Sequence, residues 1–133
     1  MRAIADTGLI VAIWSKTPAR RKWARDWLTK VELPLLTAPA TLQEAGWLLN
    51  NHVYPLRMVL DRDLELALDM QAEANVLHGL ISKYADRMDL ADASIVRLSE
   101  LHPRAKVLTV DRTDFKIYRR FGSEAIPCDF PPG

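Results

Sequence analysis

The chain has 133 residues, of which 49% are hydrophobic and 26% are charged, the composition of one globular domain with a sizeable core. Its 18 basic and 17 acidic side chains leave a net charge of +1, so charge alone neither requires nor excludes a nucleic-acid partner. The single cysteine, Cys128, excludes an internal disulfide and is typical of a reducing compartment. We therefore expect a single domain over residues 1–133, located in the cytoplasm.

The apolar stretch at the N-terminus does not predict a membrane segment. It is shorter than the roughly 20 residues that a spanning helix needs, and Asp6 interrupts it. It also lacks the flanking residues of a secretory signal. We therefore expect a soluble protein with no membrane partner.

Short apolar runs and amphipathic stretches alternate through the first half of the chain. Pro18 marks the start of one helix, because proline is favoured at the first helical position. The elements predicted here are a strand over residues 3–5, a short helix over the LIVAIW run with Asp6 or Thr7 as its cap, a helix over residues 18–31, a strand over residues 34–38 and a helix over residues 40–50.

The second half continues the alternation. Residues 64–68 favour a short strand followed by a helix from residue 70 to 84, and one continuous helix over residues 63–84 is the alternative. Around that region we predict a helix over residues 54–61, a helix over residues 89–101 ended by His102-Pro103, a strand over residues 105–110, a short helix from Thr113 or Asp114 to Arg120, and an edge strand over residues 125–127.

Strands separated by helices predict an α/β fold, a three-layer sandwich with a central, mostly parallel sheet. Ligands of such sheets bind outside the carboxyl ends of the strands. Asp6 follows the first predicted strand and Asp111 follows the fourth. If those two strands are neighbours, both carboxylates lie in one crevice.

Two further carboxylates fall on helix faces that are otherwise apolar. Asp92 shares a face with Met88, Ile95 and Val96, and Glu44 shares one with Trp47. Each has a simpler explanation. Asp92 sits three residues after Asp89, so it could complete a capping box in which Asp89 is the N-cap. Glu44 could pack its aliphatic stem at a helix edge and hold its charge in water.

We predict that Asp6, Glu44, Asp92 and Asp111 meet in one place. Two like charges about 4 Å apart repel by roughly 4 kcal/mol at an effective dielectric of about 20, so such a cluster requires protonation or a cation. Oxygen ligands without histidine or cysteine favour Mg²⁺, with Mn²⁺ as an alternative. The chemistry that fits is metal-assisted hydrolysis of a phosphodiester.

Four segments of the sequence resemble the acidic blocks of PIN domains, and in particular of VapC-like toxins from bacterial toxin–antitoxin pairs, in the order of that family. They are ADTGLIVA, TLQEA, KYADRMDLADASIVRLSE and LTVDRTDF. The resemblance implies a Mg²⁺-dependent endoribonuclease with a central parallel sheet. It also implies an RNA substrate, frequent homodimers, and inhibition by a cognate antitoxin whose tail enters the active-site groove.

Positions in these blocks imply roles for individual residues. Asp6 and Asp92 match the family's principal metal ligands. Glu44 and Asp111 match the acids that complete the metal shell or orient the attacking water, and Asp114 matches a further acid sometimes present at the site.

Several alternatives stay open at this stage. Asp89 either joins the site or only caps its helix. Thr7 and Thr109 either orient a carboxylate or bind phosphate, or each is only a local cap or strand residue. The basic run from Arg20 to Arg25 is either a rim that attracts phosphates or a solvated helix face. The alternative function is a non-catalytic α/β module that binds protein or RNA through its tryptophans and this basic helix.

Overall fold

The computed structural model describes residues 1–132 and has a five-stranded sheet at its centre. Every neighbouring pair of strands in this sheet is parallel, and the strand order is β3-β2-β1-β4-β7. The strands are β1 (Ala3–Ala5), β2 (Leu35–Thr37), β3 (Leu64–Leu66), β4 (Lys106–Leu108), β5 (Arg119–Arg120), β6 (Glu124–Ala125) and β7 (Cys128–Asp129), with β5 and β6 forming a separate antiparallel pair.

Helices connect the strands and cover the sheet. They are α1 (Thr7–Ala12), α2 (Pro18–Lys30), α3 (Pro39–Leu49), α4 (Val53–Leu60), α5 (Ala74–Lys83), α6 (Leu90–Leu101) and α7 (Asp114–Ile117). Prolines open α2 and α3, and Asn50 ends α3 in the left-handed conformation with φ of 50°. Within residues 1–132, no helix is both long and apolar enough to cross a bilayer.

Alternate residues of the strands face two different hydrophobic clusters. Ile4 and Leu36 pack into one cluster with residues of α5 and α6. Ala5 and Leu35 pack into the other with residues of α1, α2 and α4. This two-residue alternation buries both faces of the sheet, so the prediction of a three-layer α/β sandwich is confirmed.

The structure decides one open alternative in favour of the predicted strand and corrects two helix boundaries. Residues 64–66 form a strand that pairs with β2, so the alternative of one continuous helix over residues 63–84 is wrong. The following helix begins at Ala74, because the carboxylate of Asp69 accepts the amide of Ala72 in a turn. The last helix ends at Ile117, since Arg119–Arg120 pair with β6 instead of extending α7.

The predicted edge strand over residues 125–127 is displaced. Ala125 belongs to the small antiparallel pair, and the strand that joins the central sheet is Cys128–Asp129. Pro127 has no N–H to donate, but its carbonyl accepts the amide of Val107. The chain therefore reaches the sheet edge at Pro127 and pairs just after it.

Gly8 lets the start of α1 approach the end of β4. A Cβ atom at position 8 would lie 3.1 Å from Cβ of Val110 and collide with its Cγ2. The same approach brings the residue that precedes α1, Asp6, beside the segment that follows β4. Glycine at this position is therefore required by packing.

We expect Gly8→Ala to destabilise the protein by about 1–3 kcal/mol, because valine is stiff and cannot give way cheaply. Gly79 offers a matched control, since it lies inside α5 and a Cβ there would meet nothing within 4 Å. Gly79→Ala should stabilise by about 0.5–1 kcal/mol. Urea unfolding measures both, and equal effects in the same direction would contradict the packing role of Gly8.

Candidate active site

Strands β1 and β4 deliver Asp6, Thr109 and Asp111 to one edge of the sheet. The strands pair in register, with Ala5 opposite Leu108, and the amide of Asp6 donates to the carbonyl of Leu108 at 3.1 Å. The two strands are therefore neighbours, which is the condition under which the sequence places both carboxylates in one crevice. Asp6 and Asp111 follow the carboxyl ends of adjacent parallel strands.

Thr109 connects the two aspartates. Its buried hydroxyl donates to Oδ2 of Asp6 at 2.6 Å and accepts the amide of Asp111 at 3.1 Å. The structure thus favours the orienting role of Thr109 over that of an ordinary strand residue. Thr7 does not share this role, because its hydroxyl is buried and has no hydrogen-bond partner among residues 1–132.

Asp6 is a buried carboxylate with an elevated pKa. Burial raises its pKa to about 6, the hydrogen bond from Thr109 opposes this effect, and repulsion by Glu44 and Asp111 adds to it. Asp6 makes no salt bridge within the described chain. Its charge is therefore compensated only by hydrogen bonds, which is costly for an ionised group.

Asp89 and Asp92 make only half of a capping box. Asp89 is the N-cap of α6 and accepts the amide of Asp92 at 2.8 Å, so its predicted capping role is confirmed. The carboxylate of Asp92 does not return to the cap amide. Instead, its Oδ2 accepts a hydrogen bond from the hydroxyl of Tyr118 at 2.8 Å. The role of Asp92 is therefore not limited to capping α6.

The partly buried Asp92 carries the second elevated pKa. Burial raises it to about 7, the Tyr118 hydrogen bond lowers it, and repulsion by Asp89 and Asp6 raises it further. The electrostatic coupling between Asp92 and Asp6 links α6 to the edge formed by β1 and β4.

Tyr118 is the site residue that the sequence did not reveal. It follows α7 directly, is fully buried, and packs edge-on against Tyr84 and Phe115. Burial and Asp92 hold its pKa well above its usual range, so the phenol remains a hydrogen-bond donor. In the sequence, the spacing of Tyr118 from Phe115 indicates only a core position. No neighbouring residue shows which group its hydroxyl would bind.

Asp111 and Asp114 lie together at the start of α7. Asp111 accepts the amide of Asp114 at 2.8 Å, and Asp114 pairs with Arg87 at 2.9 Å. Burial raises the pKa of Asp111, and the charge of Asp114 contributes to this shift. Arg87 therefore compensates Asp114, while Asp111 has no cationic partner among residues 1–132.

Glu44 approaches the same edge from the second turn of α3. It is partly buried, and its charge contributes to the raised pKa of Asp6. Within residues 1–132 its carboxylate has neither a hydrogen-bond nor an ion-pair partner. Glu44 also lines an open cavity of about 440 Å³ between α3 and the start of α6, together with Asp89.

The structure brings the four predicted carboxylates to one region but does not close them around a common point. The charges of Glu44 and Asp111 contribute to the raised pKa of Asp6, and the charge of Asp6 contributes to the raised pKa of Asp92. In the described part of the chain, no three acidic, histidine or cysteine side chains are arranged to hold a metal ion. The donor chemistry, oxygen only, suits a hard divalent cation, and the side chains would have to converge further to enclose one.

The basic run of α2 has a structural role in this fold. Arg21 donates to the carbonyl of Ser15, Arg25 donates to that of Ile13, and Lys22 pairs with Asp26. The two arginines thus satisfy carbonyls just beyond α1. These contacts favour neither the rim for phosphates nor a purely solvated face.

Trp23 and Trp27 in α2 are also explained by packing. Both indole N–H groups donate to Oδ2 of Asp129 at 2.9 Å, which ties α2 to the edge strand β7. Cys128, beside Asp129, has a pKa raised to about 12, chiefly by burial. Its thiol is therefore unreactive at neutral pH.

No protein-family model and no curated protein matches the chain. The fold defines the protein as a parallel three-layer α/β sandwich. The site defines it further as one that places a group of carboxylates at the carboxyl edge of its sheet.

Tyr118→Phe should raise the pKa of Asp92 above about 7, since the lost hydrogen bond favours the ionised carboxylate. A hydrogen bond to a charged group is worth about 1.5 kcal/mol or more, equivalent to roughly one pH unit. Carboxyl ¹³C NMR titration without metal measures the change. Tyr84→Phe is the control, because Tyr84 accepts the amide of Arg119 and does not contact Asp92. An unchanged pKa in Tyr118→Phe would contradict this account.

We also expect the free energy of unfolding to fall as pH rises from about 4 to 8 without divalent ions. Asp6 and Asp92 have higher pKa values in the folded chain than an aspartate exposed in the unfolded chain, so the folded state binds more protons over this range. For Asp6 alone the loss is on the order of 2–3 kcal/mol. Urea unfolding across this range tests it, and Asp6→Asn should make the decrease smaller, leaving the part that Asp92 contributes. A stability that rises toward pH 8 would contradict it.

Proposed function

We propose that the protein is a Mg²⁺-dependent endoribonuclease that acts as the toxin of a toxin–antitoxin pair. The observation that carries the proposal is the group of mutually repelling carboxylates at the carboxyl edge of the sheet, with the pKa of Asp6 and Asp92 raised to about 6 and about 7. Perturbed acids gathered in one place are typical of functional sites. The resemblance of the four acidic blocks to PIN domains supplies the class of reaction.

The set of donors fits the proposed ion by its chemistry. Asp6, Glu44, Asp92 and Asp111 offer only carboxylate oxygens, which Mg²⁺ prefers, and Mn²⁺ is a suitable substitute. A divalent cation would also offset the repulsion that raises the pKa of Asp6. Thr7 and Thr41 have buried hydroxyls without protein partners among residues 1–132, as is found where water or an ion joins a polar network.

Each residue has a distinct role in the proposed mechanism. Asp6, oriented by Thr109, and Asp92, oriented by Tyr118, would hold the ion. Asp111 would complete the acidic shell, with Asp114 beside it. The ion would supply a lowered pKa for a water molecule and stabilisation of charge on the phosphate. Glu44, whose carboxylate is unpaired within residues 1–132, would orient that water and accept its proton.

The homodimer and the antitoxin belong to the same proposal. Helix α4 exposes Val53, Leu56 and Leu60, the last with 77% of its surface accessible. Contiguous exposed apolar side chains mark interaction surfaces more often than chance. They support a protein partner at α4 in addition to the RNA substrate.

The test is cleavage of RNA by purified protein with Mg²⁺, with Mn²⁺ and with EDTA. We expect cleavage only with a divalent ion, and a loss of at least about 100-fold for Asp92→Asn, because one ligand and one charge are removed. Asp61→Asn is the control. Asp61 pairs with the exposed Arg57 and lies before β3. It is therefore near the amino end of that strand, whereas the candidate site is at the carboxyl edge of the sheet. Cleavage that persists in EDTA would refute the proposal.

A second readout does not depend on turnover. Mg²⁺ should raise the melting temperature most at pH 8, where the carboxylates are ionised, and it should not do so in Asp92→Asn. The competing function is a non-catalytic module that binds protein or RNA. RNA binding without cleavage, and without stabilisation by Mg²⁺, would favour that module.

A further inference from the structure

Trp47 is a large aromatic side chain left in solvent beside the candidate active site. It lies three residues after Glu44 on α3, and 71% of its surface is exposed. Both residues line the open cavity of about 440 Å³ that lies between α3 and the start of α6. Glu44 therefore belongs both to the group of carboxylates at the sheet edge and to the lining of this cavity.

Folding explains the other three tryptophans but not Trp47. Trp14 stacks on Tyr54 with ring centroids 5.2 Å apart, and Trp23 and Trp27 donate to Asp129. Within residues 1–132, the indole of Trp47 makes no hydrogen bond, aromatic contact or cation–π contact. The exposed part of its surface contributes no burial free energy to folding.

The lining of the cavity indicates the chemistry of its occupant. Trp47 and Leu90 supply apolar surface, Gln43 supplies an amide, and Glu44 and Asp89 add negative charge at the rim. An anionic rim repels phosphates, so the backbone of a nucleic acid would not enter. A flat uncharged ring can stack on the indole, and the amide of Gln43 can hydrogen-bond its edge.

We propose that Trp47 is a stacking platform for one unpaired nucleobase of the RNA substrate, adjacent to the phosphate that is cut. This inference rests on the proposed function and assigns its substrate as single-stranded RNA. The cavity volume falls within the range of about 300–1,000 Å³ that small-ligand sites occupy. Stacking on an exposed aromatic ring tolerates any base, so the platform positions the strand and Gln43 contributes the preference among bases.

The test is binding of a hexaadenylate in EDTA, which excludes cleavage. The hexamer should quench the intrinsic fluorescence of the wild-type protein, whereas a hexamer of abasic nucleotides with the same phosphates should not. Trp47→Ala should weaken binding about tenfold or more, the usual cost of one lost base stack. Trp47→Phe should retain affinity within about threefold and lose the quenching.

Leu48→Ala is the matched control. Leu48 is the next residue on α3, is also exposed, and does not line the cavity. It should bind the hexamer as the wild type does. Unchanged melting temperatures of the Trp47 variants would show that the affinity loss is not unfolding.

Three results would contradict the role of Trp47 as a stacking platform. The abasic hexamer could bind as tightly as hexaadenylate, or Trp47→Ala could bind with wild-type affinity. The third result is a dimer in sedimentation experiments that Trp47→Ala dissociates and Leu48→Ala does not, because Trp47 would then be a protein contact. The two proposals fail separately. A protein that binds through Trp47 but never cuts RNA with Mg²⁺ retains the platform and loses the nuclease. If the wild type cuts RNA and the Trp47→Ala variant binds the hexamer normally, the nuclease proposal stands and the platform is refuted.

Discussion

Burial of the Asp6 carboxylate between β1 and β4 is the constraint on which the rest of the site depends. Parallel pairing brings the ends of both strands to one edge, and Thr109 fixes the carboxylate there by a hydrogen bond of 2.6 Å. Hydrogen bonding to Thr109 and to the backbone of Thr7 does not cancel the effect of burial, so the pKa of Asp6 rises to about 6. The fold therefore holds a charge that it compensates incompletely, as active sites commonly do.

Helices α6 and α7 extend the same constraint to Asp92. Tyr118 follows α7 and reaches the first turn of α6, where it donates to Asp92. Arg87 precedes α6 and pairs with Asp114 in α7. These two polar contacts join α6 and α7. The acidic edge is thus held by partners that lie far apart in sequence.

Local signals predicted much of this arrangement. Proline and Asp89 marked the starts of helices, and alternation of strands and helices indicated the parallel sandwich. The position of Asp6 and Asp111 after strands indicated a shared crevice. Boundaries near residues 70, 117 and 125–129 were predicted less well, because a turn at Asp69 and a two-residue antiparallel pair determine them. Such short pairings leave little pattern in the sequence.

The sequence by itself determined which carboxylates follow strands and which sit on inward helix faces, because side-chain periodicity is a local property. Only the tertiary structure decided their partners. In the sequence Tyr118 is indistinguishable from an ordinary core aromatic, and its bond to Asp92 depends on the packing of α7 beside α6. The basic run of α2 could be a phosphate rim or a solvated face, whereas in the structure Arg21 and Arg25 donate to carbonyls beyond α1. Hydrogen-bond partners tens of residues apart are set by packing, and no short stretch of the chain encodes them.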